Sequence, residues 1–135
     1  MANKAVFECY RTANGYYNFR LKAPNTVTLA VSGGTGYSSL SNVKRGIESV
    51  RKFSAACTGK VEDQTLKTVT ELKNPKFEIY ADKAGKYRYR LKASNGELLC
   101  ICESGYASKK ACQDGIVSLA RWAQEAEIVD LDKQQ

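Results

Sequence analysis

Two stretches of the chain alternate strictly between hydrophobic and polar positions, "VFECYR" at 6–11 and "KFEIYA" at 76–81. In an extended chain Phe7 and Cys9, like Phe77 and Ile79, fall on one face, and Glu8 and Tyr10, like Glu78 and Tyr80, on the other. The next stretches do the same. Tyr17, Phe19 and Leu21 oppose Asn18, Arg20 and Lys22, and Tyr87, Tyr89 and Leu91 oppose Arg88, Arg90 and Lys92. Three residues ending in glycine join each pair, "ANG" at 13–15 and "KAG" at 83–85. Such a loop suits a type I turn followed by a left-handed residue. The register it sets places Glu8 opposite Arg20, Glu78 opposite Arg90 and Tyr80 opposite Arg88, with every apolar side chain on one side. A slip of one residue would scramble both faces. "SNG" at 94–96 offers a second turn of this kind, whereas its counterpart "PNT" at 24–26 lacks the glycine and specifies its hairpin less firmly. The third strands, "VTLAVS" and "ELLCIC", are then expected to point Leu29, Val31, Leu99 and Ile101 inward and Ala30, Cys100 and Cys102 outward.

After each third strand the period changes from two to that of a helix. "GYSS" and "GYAS" supply serine N-caps, followed by Val43, Ile47 and Val50 in one case and Cys112, Ile116, Leu119 and Ala123 in the other. Gly46 and Gly115 fall mid-helix, where glycine costs about 1 kcal/mol against alanine. They mark a place where the helix lies tight on the sheet. Short apolar-acidic pieces, "GKVED" and "AEIVD", can form a last strand in each half. Residues 64–73 link the halves, and Leu66, Val69 and Leu72 give the linker something to pack with.

The two halves are copies. Residues 7–33 align on 77–103 and residues 36–56 on 105–125, with 17 of 48 positions identical, far above the two or three expected by chance. The reading is a first repeat at 1–63, a linker at 64–73 and a second repeat at 74–135, the repeats forming one compact domain. "FEIYADKAGKYRYRLKASNGELL…GYASKKACQDGI", and less closely "FECYRTANGYYNFRLKAPN…GYSSLSNVKRGIESV", resembles the YegP-like family of small uncharacterised proteins. That resemblance implies an α+β fold of two tandem β-β-β-α-β repeats sharing one antiparallel sheet. Both helices would lie on one face, with the terminal strands exchanged between the repeats. It brings no activity with it.

Composition narrows the chemistry. There is no histidine among the 135 residues, which removes Ser-His and Cys-His nucleophilic pairs and histidine metal ligands. Five cysteines without framework spacing suggest unpaired thiols in a reducing compartment, so the expected location is the cytoplasm. No apolar run spans a membrane and "MANKAVFECY" lacks the layout of a secretory leader. The glycine-rich "SGGTGYSS" at 32–39 has no Lys-Ser/Thr ending and reads as a turn and cap. We therefore expect no enzyme, catalytic residue, cofactor or metal. The net charge of +7 permits a polyanion partner without requiring one. The candidate surface is the face opposite the helices, carrying Tyr10, Asn18, Arg20, Lys22, Tyr80, Arg88, Arg90 and Lys92. Cations with aromatics on an open sheet suit an acidic partner, single-stranded nucleic acid or an acidic protein. The competing expectation is a solvated ladder of Glu, Arg and Tyr with no ligand, or a structural protein-interaction surface. Fused repeats point to a monomer.

Overall fold

A computed structural model describes residues 4–34 and 36–131. The elements run β1 (Val6–Arg11), β2 (Tyr17–Lys22), β3 (Thr28–Ser32), α1 (Leu40–Cys57), β4 (Val61–Asp63), β5 (Lys76–Ala81), β6 (Tyr87–Lys92), β7 (Leu98–Ile101), α2 (Lys109–Glu125) and β8 (Glu127–Asp130). All eight strands form one sheet in the order β4-β5-β6-β7-β3-β2-β1-β8. The fold is α+β, two β-β-β-α-β units in tandem. Its six inner strands are antiparallel, while β4 runs parallel to β5 and β8 parallel to β1, so the sheet is mixed at its rims. Each unit thus hands its last strand to the other unit's first strand. The parallel neighbours β4 and β5 are joined by residues 64–75, long enough for the crossover a parallel partner demands, and each helix carries the chain from its unit's third strand to its last.

The first hairpins carry the expected register, with Glu8 opposite Arg20, Glu78 opposite Arg90 and Tyr80 opposite Arg88. Gly15 and Gly85 take φ values of +86° and +80° at the ends of their loops. The second hairpin closes in both halves. Where Gly96 takes φ +84°, Thr26 is driven to φ +70°, a region a β-branched residue occupies at a cost. Ser39 and Ser108 cap the helices, accepting from the backbone N–H groups of Asn42 and Ala111 at 3.1 Å.

The third strands depart from the expectation. Leu21 pairs with Ala30 but Lys22 with Thr28, and likewise Leu91 with Cys100 but Lys92 with Leu98. A bulge of one residue lies between. Leu29 and Ala30, and Leu99 and Cys100, are therefore buried in succession, and beyond the bulge the alternation is inverted. Ala30, Cys100 and Cys102 face the core; Val31 and Ile101 face the opposite way, beside Arg20 and Arg90.

One core lies between the sheet and both helices. Phe7 meets Phe19 edge-on at 5.8 Å between centroids, and Phe77 meets Tyr89 at 6.2 Å. Tyr37 stacks on Phe19 and Tyr106 on Tyr89. The mid-helix glycines receive those tyrosines: a Cβ on Gly46 would lie 2.6 Å from Tyr37 Cζ, and one on Gly115 2.7 Å from Tyr106 Cζ. The tight approach is thus to a phenol ring from the loop before each helix. The halves also lock to each other. Tyr89 donates its hydroxyl to the Leu29 carbonyl at 2.5 Å. Arg51 on α1 donates to the Ala123 and Ala126 carbonyls at the end of α2, where a cation also meets the negative end of the helix dipole. In the linker, Leu72 is half-buried while Leu66 and Val69 are exposed.

Candidate nucleic-acid or protein interface on the open sheet face

The face away from the helices is organised by cross-strand rows. One row runs straight across the sheet through paired residues: Glu62, Glu78, Arg90, Ile101, Val31, Arg20, Glu8 and Val129. The partly exposed pair Val31–Ile101 stands at its centre, where the two halves meet, and an arginine flanks it on each side.

Every cation singled out on this face has an acidic neighbour. Arg20 Nε lies 2.6 Å and Lys22 Nζ 3.3 Å from Glu8 Oε1. Arg90 Nε lies 2.5 Å and Lys92 Nζ 3.5 Å from Glu78 Oε1. Arg88 Nε lies 2.8 Å from Asp82 Oδ2, and its Nη1 donates to the Glu103 carbonyl. The tyrosines serve the arginines: Arg20 sits 4.8 Å over the Tyr10 ring and Arg90 4.5 Å over Tyr80. Asn18 accepts from the Ser32 hydroxyl at 2.8 Å.

At the rim beside β4 the face is closed. Lys76 Nζ lies 2.7 Å from Glu62 Oε1 and 3.2 Å from Glu78 Oε2, all three side chains buried. Gln64 donates to Glu62 and accepts from Arg90 Nη2, and the Leu72 N–H of the linker donates to Glu62 Oε1. Burial alone would push the Glu62 carboxyl up; the Gln64, Lys76 and Leu72 hydrogen bonds outweigh it and hold the group down at about 2. Glu8 and Glu78 are also lowered, burial opposing and their arginine and lysine partners prevailing. None of the three is fitted to deliver a proton near neutrality.

The eight residues singled out from the sequence share this face, together with Val31, Ile101, Lys76, Glu62 and Gln64, which the sequence did not single out. A signal for the first two existed: two consecutive apolar residues after a β-turn, Leu29-Ala30 and Leu99-Cys100, betray a bulge. Nothing comparable marks Lys76, whose burial depends on a strand and a linker from elsewhere in the chain.

The thiols lie on the other side. Cys9, Cys57, Cys100, Cys102 and Cys112 are all buried and unpaired. Burial pushes the Cys100 and Cys112 thiols up to about 12, which leaves little thiolate for redox or nucleophilic chemistry. Among the described residues no three His, Cys, Asp or Glu side chains are grouped to hold a metal ion, and no helix is long and apolar enough to cross a membrane.

Comparison with known proteins places the chain. A family model described as a domain of unknown function, DUF1508, matches residues 13–58 and again residues 82–130. A UPF0339 protein from Stutzerimonas stutzeri, encoded 5′ of a ptx operon, is 30% identical over 126 residues, 93% of this chain and 96% of that one. A shorter UPF0339 protein from Treponema denticola is 48% identical over 56 residues, 42% of this chain but 95% of its own length, a single repeat's worth. Among solved structures, the yegP protein of unknown function from E. coli covers 97% of this chain and 96% of its own, with a TM-score of 0.74 at 23% identity. A UPF0339 protein from Shewanella oneidensis covers 95% and 92%, with a TM-score of 0.72 at 23% identity. Two matched segments, one on each repeat, and a full-length relative show that the chain belongs to the DUF1508 (UPF0339, YegP-like) family of unknown function.

Proposed function

We propose that the protein is a non-catalytic binding module that meets an acidic protein partner with the open face of its sheet. The observation that carries this reading is the Arg90–Ile101–Val31–Arg20 row, an apolar centre flanked by arginines already held by carboxylates and stacked on tyrosines. Protein interfaces favour such a composition, apolar in the middle and enriched in Tyr and Arg. Arginines fixed before binding lose little further freedom when a partner arrives. Lys22 and Lys92 share carboxylates that already serve Arg20 and Arg90, so each half keeps one surplus positive charge, which selects an acidic surface. A nucleic-acid strand would instead have to separate these cations from Glu8, Glu78 and Asp82 before its phosphates could use them. Strand exchange within one chain supports a monomer, and five unpaired buried thiols support a reducing compartment such as the cytoplasm.

A photo-activatable side chain at position 101, with position 117 on the exposed side of α2 as control, tests the reading in cells. Discrete protein adducts are expected from 101 and not from 117, and their loss on Val31→Lys. Equal labelling from both positions overturns it. So does retardation of a single-stranded oligonucleotide at low salt that collapses as salt rises, which would restore the nucleic-acid alternative.

A further inference from the structure

A second surface, separate from the open face, is built where the two halves meet on the helix side. The loop before α1, the first turns of α1 and the β6–β7 turn enclose an open groove of about 420 Å³. That is within the size range of small-ligand sites. Its floor is the Tyr37 ring, Gly46 and the buried Leu99. Arg45 lines it from α1, and Glu97 from the β6–β7 turn of the other half.

These two side chains differ from the charges on the sheet face. Neither the Arg45 guanidinium nor the Glu97 carboxylate has an ion-pair or hydrogen-bond partner among the described residues, although both line one small space. The Glu97 charge is felt on the floor, where burial first and then that carboxylate push the Tyr37 phenol up to about 12. Asn42 and Ser49 add hydrogen-bonding groups on the helix wall.

The duplication provides an internal control. In the related groove positions of the other half, Arg45 is matched by Asp114, Glu97 by Val27, Asn42 by Ala111 and Ser38 by Ala107. Asp114 is engaged by Lys110 at 3.4 Å. The fold is therefore kept at the related positions without this polar set, and an arginine and a glutamate with no protein partner among the described residues line only the groove before α1. Two exposed charges of opposite sign, neither held by a protein partner among the described residues, beside the apolar Tyr37 and Leu99 are complementary to a small molecule carrying both charges and an apolar arm.

We propose that this groove binds a free α-amino acid with an apolar side chain. The carboxylate meets Arg45 as a planar, charge-assisted pair, the ammonium meets Glu97, and the side chain lies on Leu99 and the Tyr37 ring. Binding here does not depend on the partner surface of the sheet.

Titration of the full chain with L-leucine and L-phenylalanine, followed by amide NMR shifts, tests the assignment. Saturable shifts are expected at Tyr37, Gly46 and Leu99. N-acetyl-leucine, which lacks the ammonium, and leucine amide, which lacks the carboxylate, should each bind at least about tenfold more weakly, the scale of one charge-assisted hydrogen bond. Arg45→Gln and Glu97→Gln, exposed substitutions that leave the core untouched, should each cause a comparable loss. Glu97→Gln should erase the preference for leucine over N-acetyl-leucine while keeping the preference over leucine amide. Absence of shifts at these residues, or equal binding of the blocked and free amino acids, overturns the proposal.

Discussion

The two rims of the sheet have the same strand arrangement and opposite chemistry. Beside Glu78 on the β4–β5 rim stands Glu62, and Lys76 lies next to both. On the β8–β1 rim the matching positions beside Glu8 are Val129 and Val6. Two carboxylates in adjacent strands require a cation between them; one carboxylate with an arginine opposite does not. The fold tolerates either solution because what both copies need from these positions is neutrality, not a particular pair of residues. The buried cluster is the more demanding of the two, since its charges are cut off from water and every lone pair must find a donor.

That contrast can be broken most forcefully at Lys76. Lys76→Met leaves Glu62 and Glu78 buried without their shared cation and should cost about 3–5 kcal/mol in urea unfolding. Lys22→Met on the other rim, where the side chains stay partly in water, should cost under about 1 kcal/mol. Writing the second rim's solution into the first, Glu62→Val with Lys76→Val, should recover most of the loss, because a well-packed apolar pair can replace a buried ion pair. A double variant as unstable as Lys76→Met would refute the equivalence of the two solutions.

Acid should distinguish the rims next. The folded Glu62 carboxyl, at about 2, lies below its ordinary value of 4.5. A group depressed on folding contributes stability that is complete above the ordinary value and is lost as pH falls from 4.5 toward 2. The wild-type protein should lose a few kcal/mol over that window, and the Glu62→Val, Lys76→Val variant distinctly less, by denaturation at stepped pH.

Two smaller substitutions sharpen the likeness of the halves. Gly46→Ala and Gly115→Ala each set a methyl on a stacked phenol, an overpacking of about 1–3 kcal/mol offset by about 1 kcal/mol of helix propensity. A net loss near 1 kcal/mol, the same in both, is expected from thermal melting. Thr26→Gly, which gives the first half the second half's turn residue, should raise stability by up to about 1 kcal/mol, and Gly96→Thr should lower it similarly.

The tandem architecture was readable because it rests on local chemistry said twice. Turn glycines at 15 and 85 fix a register, and strict alternation about them fixes which side Phe7, Arg20, Phe77 and Arg90 occupy. The third strands were misread for an equally local reason. Period two carries no memory of a bulge, so one extra residue sends Cys100 inward and Ile101 outward. That error hid the apolar centre of the open face. The buried Lys76 and the Arg45–Glu97 groove were out of reach in a different sense. Each is assembled from segments distant along the chain, so neither has a periodicity to reveal it.

The crossed last strands have a topological consequence. A cut in the exposed linker around Leu66 to Thr70 would sever the backbone yet release nothing, because each fragment would still grip the other by a strand at opposite rims of the sheet. The two copies are geared to unfold together or not at all, and neither can drift away while its neighbour holds its shape.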